Sequence, residues 1–208
     1  ASIRVGWSPS RYREVGTGFV VGAMTVSHNR ELFGDQEVEA RSWIRDFRRG
    51  VLCRRQVEIW DSIGCVSRAS QSWVHVGGSY GVFEPCRAPT SLIDAFPVHP
   101  NPGPGVCLPA WDTSENFALP EFELEVWYGW MDPLGHANHP AYIDWCDEAI
   151  YRALVVRGIE PSRLVAVAEQ VRWRAAALAG DRLVVRSRGM GHARNGYVIQ
   201  HELINCSH

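Results

Sequence analysis

The sequence predicts an α+β protein built from two related units, each a long helix packed on a curved antiparallel β-sheet, with the first unit lacking its helix. Three features carry this expectation. Residues 19–76 alternate between apolar and polar in the manner of strands. One amphipathic helical stripe runs from Tyr142 to Leu154. The first and last thirds of the chain also match each other at one fixed offset.

In chain order, Val20, Ala23 and Val26, then Val38, Ala40 and Trp43, mark two strands with a turn at Gly34-Asp35 between them. Val51 to Trp60 and Val66 to Val76 continue the pattern across Asp61-Ser62-Ile63-Gly64, so the first third reads as a meander of four strands in sequence order. From Glu84 to Pro120, prolines at 85, 89, 97, 100, 102, 104, 109 and 120 withhold backbone donors from any sheet. Units are therefore expected at 1–84 and 121–208, joined by a Pro-rich linker at 85–120.

Glu121 to Tyr128 reads as a strand. After it, Tyr142, Trp145, Cys146, Ala149, Ile150, Ala153 and Leu154 recur every three or four residues, which predicts the helix. Pro140 suits its first turn, Asn138 or His139 its cap, and Gly158 its end. Val165 to Trp173, Leu183 to Ser187 and Tyr197 to Asn205 complete the second unit, with a turn at Ala179-Gly180-Asp181.

Gly34-Asp35 falls on Gly180-Asp181, Val38 on Val184, Arg48 on Arg194 and Val57 on Leu203, all 146 positions apart. This is the pattern of a duplicated unit. Ile3-Arg4-Val5 resembles the strand at Val126, yet Val5 precedes Gly34 by 29 positions whereas Val126 precedes Gly180 by 54. Either the first copy lost its helix or the sequence is incomplete near Tyr12 to Gly18. A bare apolar sheet face costs ~25 cal/mol per Å² in water, which favours the second alternative.

The chain is long enough to bury a real core. A net charge of −2, with arginine and no lysine, lacks the basic footprint that nucleic-acid binding needs. Apolar runs are a few residues long, against the ~20 of a bilayer span, and no basic-then-apolar stretch opens the chain. A cytoplasmic protein without membrane association is expected. The six cysteines form no Cys-x-x-Cys pair, so neither a zinc site nor a disulfide framework is expected, and no cofactor.

Candidate chemistry concentrates between Trp130 and Tyr142, where Asp132, His136, Asn138 and His139 crowd ahead of the helix. A carboxylate can activate water or attack a carbonyl, and an imidazole can position water or protonate a leaving group. A helix N-terminus offers N–H groups and a positive dipole end to a developing oxyanion. Gly135 lets backbone approach closely, and Trp130, Tyr142 and Trp145 are fit to line a pocket, although such aromatics also build cores. Asp132-Pro133 followed by Gly135 is equally a turn signature, and Asn138 a helix cap.

Asp132, Gly135, His136, Asn138 and Tyr142, spaced in this way before a helix, resemble the motif of the hotdog-fold thioesterases. Gly34-Asp35 through Ser42-Trp43, and Arg54-Arg55-Gln56 through Arg68-Ala69-Ser70-Gln71-Ser72-Trp73-Val74, look like the acyl-ACP thioesterases, which carry two hotdog units in one chain. The resemblance implies a double hotdog packed as a pseudo-dimer, with one active site in the second unit. It implies hydrolysis of an acyl thioester on an acyl carrier protein or coenzyme A, with no cofactor. Asp132 would be nucleophile or general base, assisted by His136, Asn138 and His139, while Gly135, Tyr142, Trp130 and Trp145 bind substrate.

Two positions differ from the family pattern. Leu134 stands where acyl-ACP thioesterases place Asn, and Ala176 where they place a later Glu; Asn138 or His139, and Glu169, are the candidates to stand in. Acyl transfer or dehydration on the same fold, and a non-catalytic acyl- or partner-binding protein, stay open as alternatives, as does a homodimer. Arg48, Arg49, Arg54 and Arg55 can meet a phosphopantetheine or an acidic carrier surface, or form a solvated face.

Overall fold

The computed structural model describes residues 2–79, 82–113, 116–194 and 196–207. In chain order its main elements are α1 (Pro9–Val15), β1 (Thr17–His28), β2 (Glu39–Arg48), β3 (Leu52–Trp60), β4 (Cys65–Ser79), β5 (Val82–Pro85) and α2 (Thr90–Ala95). They continue with β6 (Trp111–Asp112), β7 (Phe117–Ala118), β8 (Phe122–Glu125), α3 (His139–Val156), β9 (Ala168–Arg172), β10 (Arg182–Ala193) and β11 (Gly196–Asn205). Two compact units result: Ala1–Leu108 with Ala166–Arg174, and Pro109–Val165 with Ala175–His208. No helix among the described residues is long and apolar enough to cross a membrane.

The first unit holds an antiparallel sheet in the order β2-β3-β4-β1-β9, with β5 added to β4. The expected sequential order is corrected here: β1 pairs with β4, not with β2. Residues 29–38 between β1 and β2 are too many for a tight hairpin and leave room to cross the end of the sheet. Between β3 and β4 the connection is short, and Asp61 closes it by accepting the N–H groups of Ile63 and Gly64 at 2.8 and 3.0 Å.

The expectation of a strand at Ile3-Arg4-Val5 is also corrected: Ser2–Val5 form a single 3₁₀ turn, and the chain reverses at Gly6 with φ +80° to bury Trp7. Trp7, Ala88 and Leu92 make a small core with Tyr12, Phe19 and Phe96. Among the described residues this unit has no helix longer than the seven residues of α1. Most of β1 and β2 consequently stays half-buried or exposed.

The second unit is organised by α3 lying on β10, which pairs with β11 along one edge and with β8, β7 and β6 in turn along the other. Pro140 sits in the first turn behind the Asn138 cap, and Gly158 with φ 68° follows the last turn. Ala141, Trp145, Ala149 and Ala153 are buried at four-residue spacing, so three of the four contacts beneath the helix are methyl groups. The first three pack with Val126, Leu183 and Val185. Full burial of a side chain such as Val185 stabilises by about 1.5–3 kcal/mol.

The duplicated pattern reappears in the coordinates. β2 and β3 recur as β10 and β11, and each hairpin carries a β-bulge at nearly the same offset, between Ile44 and Asp46 and between Gly189 and Gly191.

Candidate active site

Short-range hydrogen bonds shape the motif. Asp132, Pro133, Leu134 and Gly135 form a β-turn closed by the Gly135 N–H donating to the Asp132 carbonyl at 3.0 Å. The Asp132 Oδ1 accepts the Leu134 N–H at 2.8 Å, which fixes the carboxylate rotamer. Gly135 is buried with φ 83°, a left-handed conformation that costs other residues about 1–2 kcal/mol. The Asp132 N–H then donates to the His136 carbonyl at 2.9 Å, and Met131 pairs with Ala137, so the loop is closed at its base.

This closure brings side chains together. His136 Nδ1 lies 3.5 Å from Asp132 Oδ2, and the two side chains are 19% and 18% exposed. His139 opens α3 close enough to feel both: burial holds its imidazole below the usual range, the Asp132 charge pulls it up, and His136 pushes it down. Burial raises the Tyr142 phenol, the Ala177 N–H opposes this, and the charges of Asp132 and Asp181 add to it. Asp132, His136, His139 and Tyr142 therefore share one electrostatic neighbourhood at the positive end of α3.

The remaining predicted residues have distinct settings. Asn138 caps α3 by position, its side chain exposed and making no cap hydrogen bond, while its N–H donates to the Trp130 carbonyl at 2.8 Å. Trp130 is half-buried, stacked on Trp127 at 5.4 Å and edge-on to Trp145 at 5.2 Å. Trp145 is 3% exposed and lies in the core beneath α3. Glu169 belongs to the first unit, where its Oε2 meets His28 Nε2 at 3.1 Å.

Ala177 is a residue that sequence reasoning missed. Its carbonyl accepts the Ala137 N–H at 2.8 Å and its N–H donates to the Tyr142 hydroxyl at 2.9 Å, strapping the segment after Ala176 onto the motif. No sequence pattern marks it, since both contacts are long-range and one uses only backbone. Among the described residues, no three His, Cys, Asp or Glu side chains gather in a metal-binding arrangement.

Residues 126–208, the motif included, match the family model of the thioesterase-like superfamily. No curated protein matches the chain. A candidate oleoyl thioesterase from Lactobacillus plantarum has a similar structure, with 16% identity and a TM-score of 0.73 over 100% of this chain and 78% of that one. An acyl-ACP thioesterase from Bacteroides thetaiotaomicron shares 13% identity with a TM-score of 0.64, over 98% and 83% of the two chains. The 12:0-ACP thioesterase from Umbellularia californica shares 15% with a TM-score of 0.67, over 94% and 71%. Likeness at these identities is likeness of fold. The chain thus has the hotdog fold of these solved structures, and its motif-bearing residues 126–208 match the model of the thioesterase-like superfamily.

Proposed function

We propose that this chain hydrolyses an acyl thioester carried on an acyl carrier protein or coenzyme A, releasing the free acid and the thiol. The observation that carries this reading is the Asp132 carboxylate, held by the Leu134 N–H and by His136 beside the first turn of α3. The superfamily match over the motif and the fold shared with solved thioesterases support it.

Asp132 acts as general base or as nucleophile. In the first route it takes a proton from water while the water oxygen bonds to the carbonyl carbon, and the C=O electron pair moves onto an oxygen facing the positive end of α3. Collapse re-forms C=O and breaks C–S, and the thiolate receives the proton from Asp132 or His136. In the second route the carboxylate itself bonds to the carbonyl carbon, C–S breaks as the thiolate leaves and is protonated, and water cleaves the resulting anhydride to the free acid and the Asp132 carboxylate. His139, whose imidazole burial holds below the usual range, is fit to accept a hydrogen bond from the water. Trp130 and Tyr142, backed by the buried Trp145, form the aromatic wall beside the acyl group, and Gly135 keeps the turn open to it.

The test is thiol release from a panel of acyl-ACP and acyl-CoA thioesters, comparing the wild type with Asp132→Asn. Loss of 10² or more on substitution, the order expected for a removed acid–base group, upholds the reading. If no thioester turns over, or if the variant matches the wild type, Asp132 is a turn residue only. A single turnover in ¹⁸O water separates the routes, because label in the Asp132 carboxylate marks the anhydride.

A further inference from the structure

The first unit contains a cavity of about 200 Å³ whose lining includes Arg45, Arg54, Arg55, Gln56 and Ser70, under a lip formed by Gly105 and Val106. The lip is pinned: the Val106 N–H donates to Ser70 Oγ at 2.7 Å, and Ser70 Oγ donates to Gln56 Oε1 at 2.9 Å. A Cβ on Gly105 would lie 3.0 Å from Arg45 Nη1, so this backbone passes close over the guanidinium.

Positive charge exceeds negative around this cavity. Asp46 pairs with Arg54, and its carboxyl is held below the usual range by Arg54 first and then by Arg48 and Arg45, so three guanidiniums surround one carboxylate. Arg45 is the weakest of these three influences on Asp46, whose carboxylate is directly paired with Arg54. The Arg55 guanidinium lies over the Trp73 ring, 5.8 Å from its centroid, and its Nε is buried without an acceptor. A half-buried guanidinium with an unpaired N–H is costly, and an anion offsets that cost.

The shape of the lining selects among anions. One guanidinium suffices to grip a planar carboxylate in bidentate fashion, whereas arginines on two strands combined with Ser and Gln groups suit an oxyanion that presents oxygens in several directions. The volume falls below the roughly 300–1,000 Å³ of pockets that enclose whole drug-sized ligands. We infer that this cavity binds a phosphate group, either free orthophosphate or the terminal phosphate of a larger phosphate ester. The inference stands apart from the thioesterase reading, since none of these residues belongs to the Asp132 motif.

The experiment is isothermal titration of the full chain with orthophosphate, coenzyme A and 3′-dephospho-coenzyme A at low salt. The variants are Arg45→Gln, which removes a donor, and Gly105→Leu, which fills the mouth and leaves the charge intact. Saturable phosphate binding that weakens about tenfold or more in both variants, with melting temperatures unchanged and Asp132→Asn binding like the wild type, upholds the site. Tighter binding of coenzyme A than of its 3′-dephospho form, lost in Arg45→Gln, assigns the phosphate to an ester; equal binding of the two assigns it to orthophosphate. No binding of any of the three, or binding that both variants retain, overturns the inference.

Discussion

The Tyr142 hydroxyl accepts the Ala177 N–H at 2.9 Å, and the Ala177 carbonyl accepts the Ala137 N–H at 2.8 Å, so one alanine is gripped from the helix and from the motif turn together. The first contact makes Tyr142 a fastening residue for the segment after Ala176. Tyr142→Phe keeps the ring and removes the acceptor, leaving the Ala177 N–H unsatisfied at about 1–3 kcal/mol. We expect a lower melting temperature together with a fall in kcat larger than the change in KM. Unchanged kcat with a lowered melting temperature would show that the strap serves stability alone.

Position 176 adjoins that strap and carries an exposed alanine where the resembling family places glutamate. Ala176→Glu adds a carboxylate next to the segment fastened to the motif without disturbing a core. Thiol release is expected to rise several-fold, with Asp132→Asn abolishing the gain; the kinetics of the single and double variants measure it. A rise that survives in the double variant would contradict the expectation.

His201 bonds Ser187 Oγ through Nδ1 at 2.7 Å, and burial pushes its imidazole from 6.5 down to about 4. The folded state therefore resists protonation that the unfolded chain accepts. Stability from this group is intact above pH 6.5 and is lost as pH falls through about 4, a difference of about 3 kcal/mol at most. Urea midpoints at pH 7 and pH 4.5 should diverge in the wild type and draw together in His201→Gln.

Ala149 is 2% exposed in the row of small side chains through which α3 meets the sheet. Ala149→Leu forces the helix outward and should cost about 1–3 kcal/mol, read as a lower denaturant midpoint with the m-value unchanged. Because α3 carries His139 and Tyr142, thiol release should fall with it. The same substitution at exposed Val156 should leave both readings near wild type.

What the sequence determined by itself was local. The Asp132 to Gly135 turn follows from Asp, Pro and Gly at fixed positions, and α3 from Pro140, the four-residue spacing of Trp145, Ala149 and Ala153, and Gly158. The β2–β3 and β10–β11 hairpins follow from alternation, and their likeness is visible as one offset along the chain. Each of these depends on residues that are near neighbours in sequence, so the instructions lie within a short window.

Tertiary structure alone decided the rest. It put β1 between β4 and β9, paired Glu169 with His28, closed Ala177 onto Tyr142, and stretched Gly105 across Arg45. These are pairings between segments far apart in the chain, made through backbone groups or long side chains whose partners no periodicity specifies. Strand order, in particular, depends on which edge hydrogen bonds remain open once the local hairpins have formed, a property of the assembled sheet and of no single stretch of sequence.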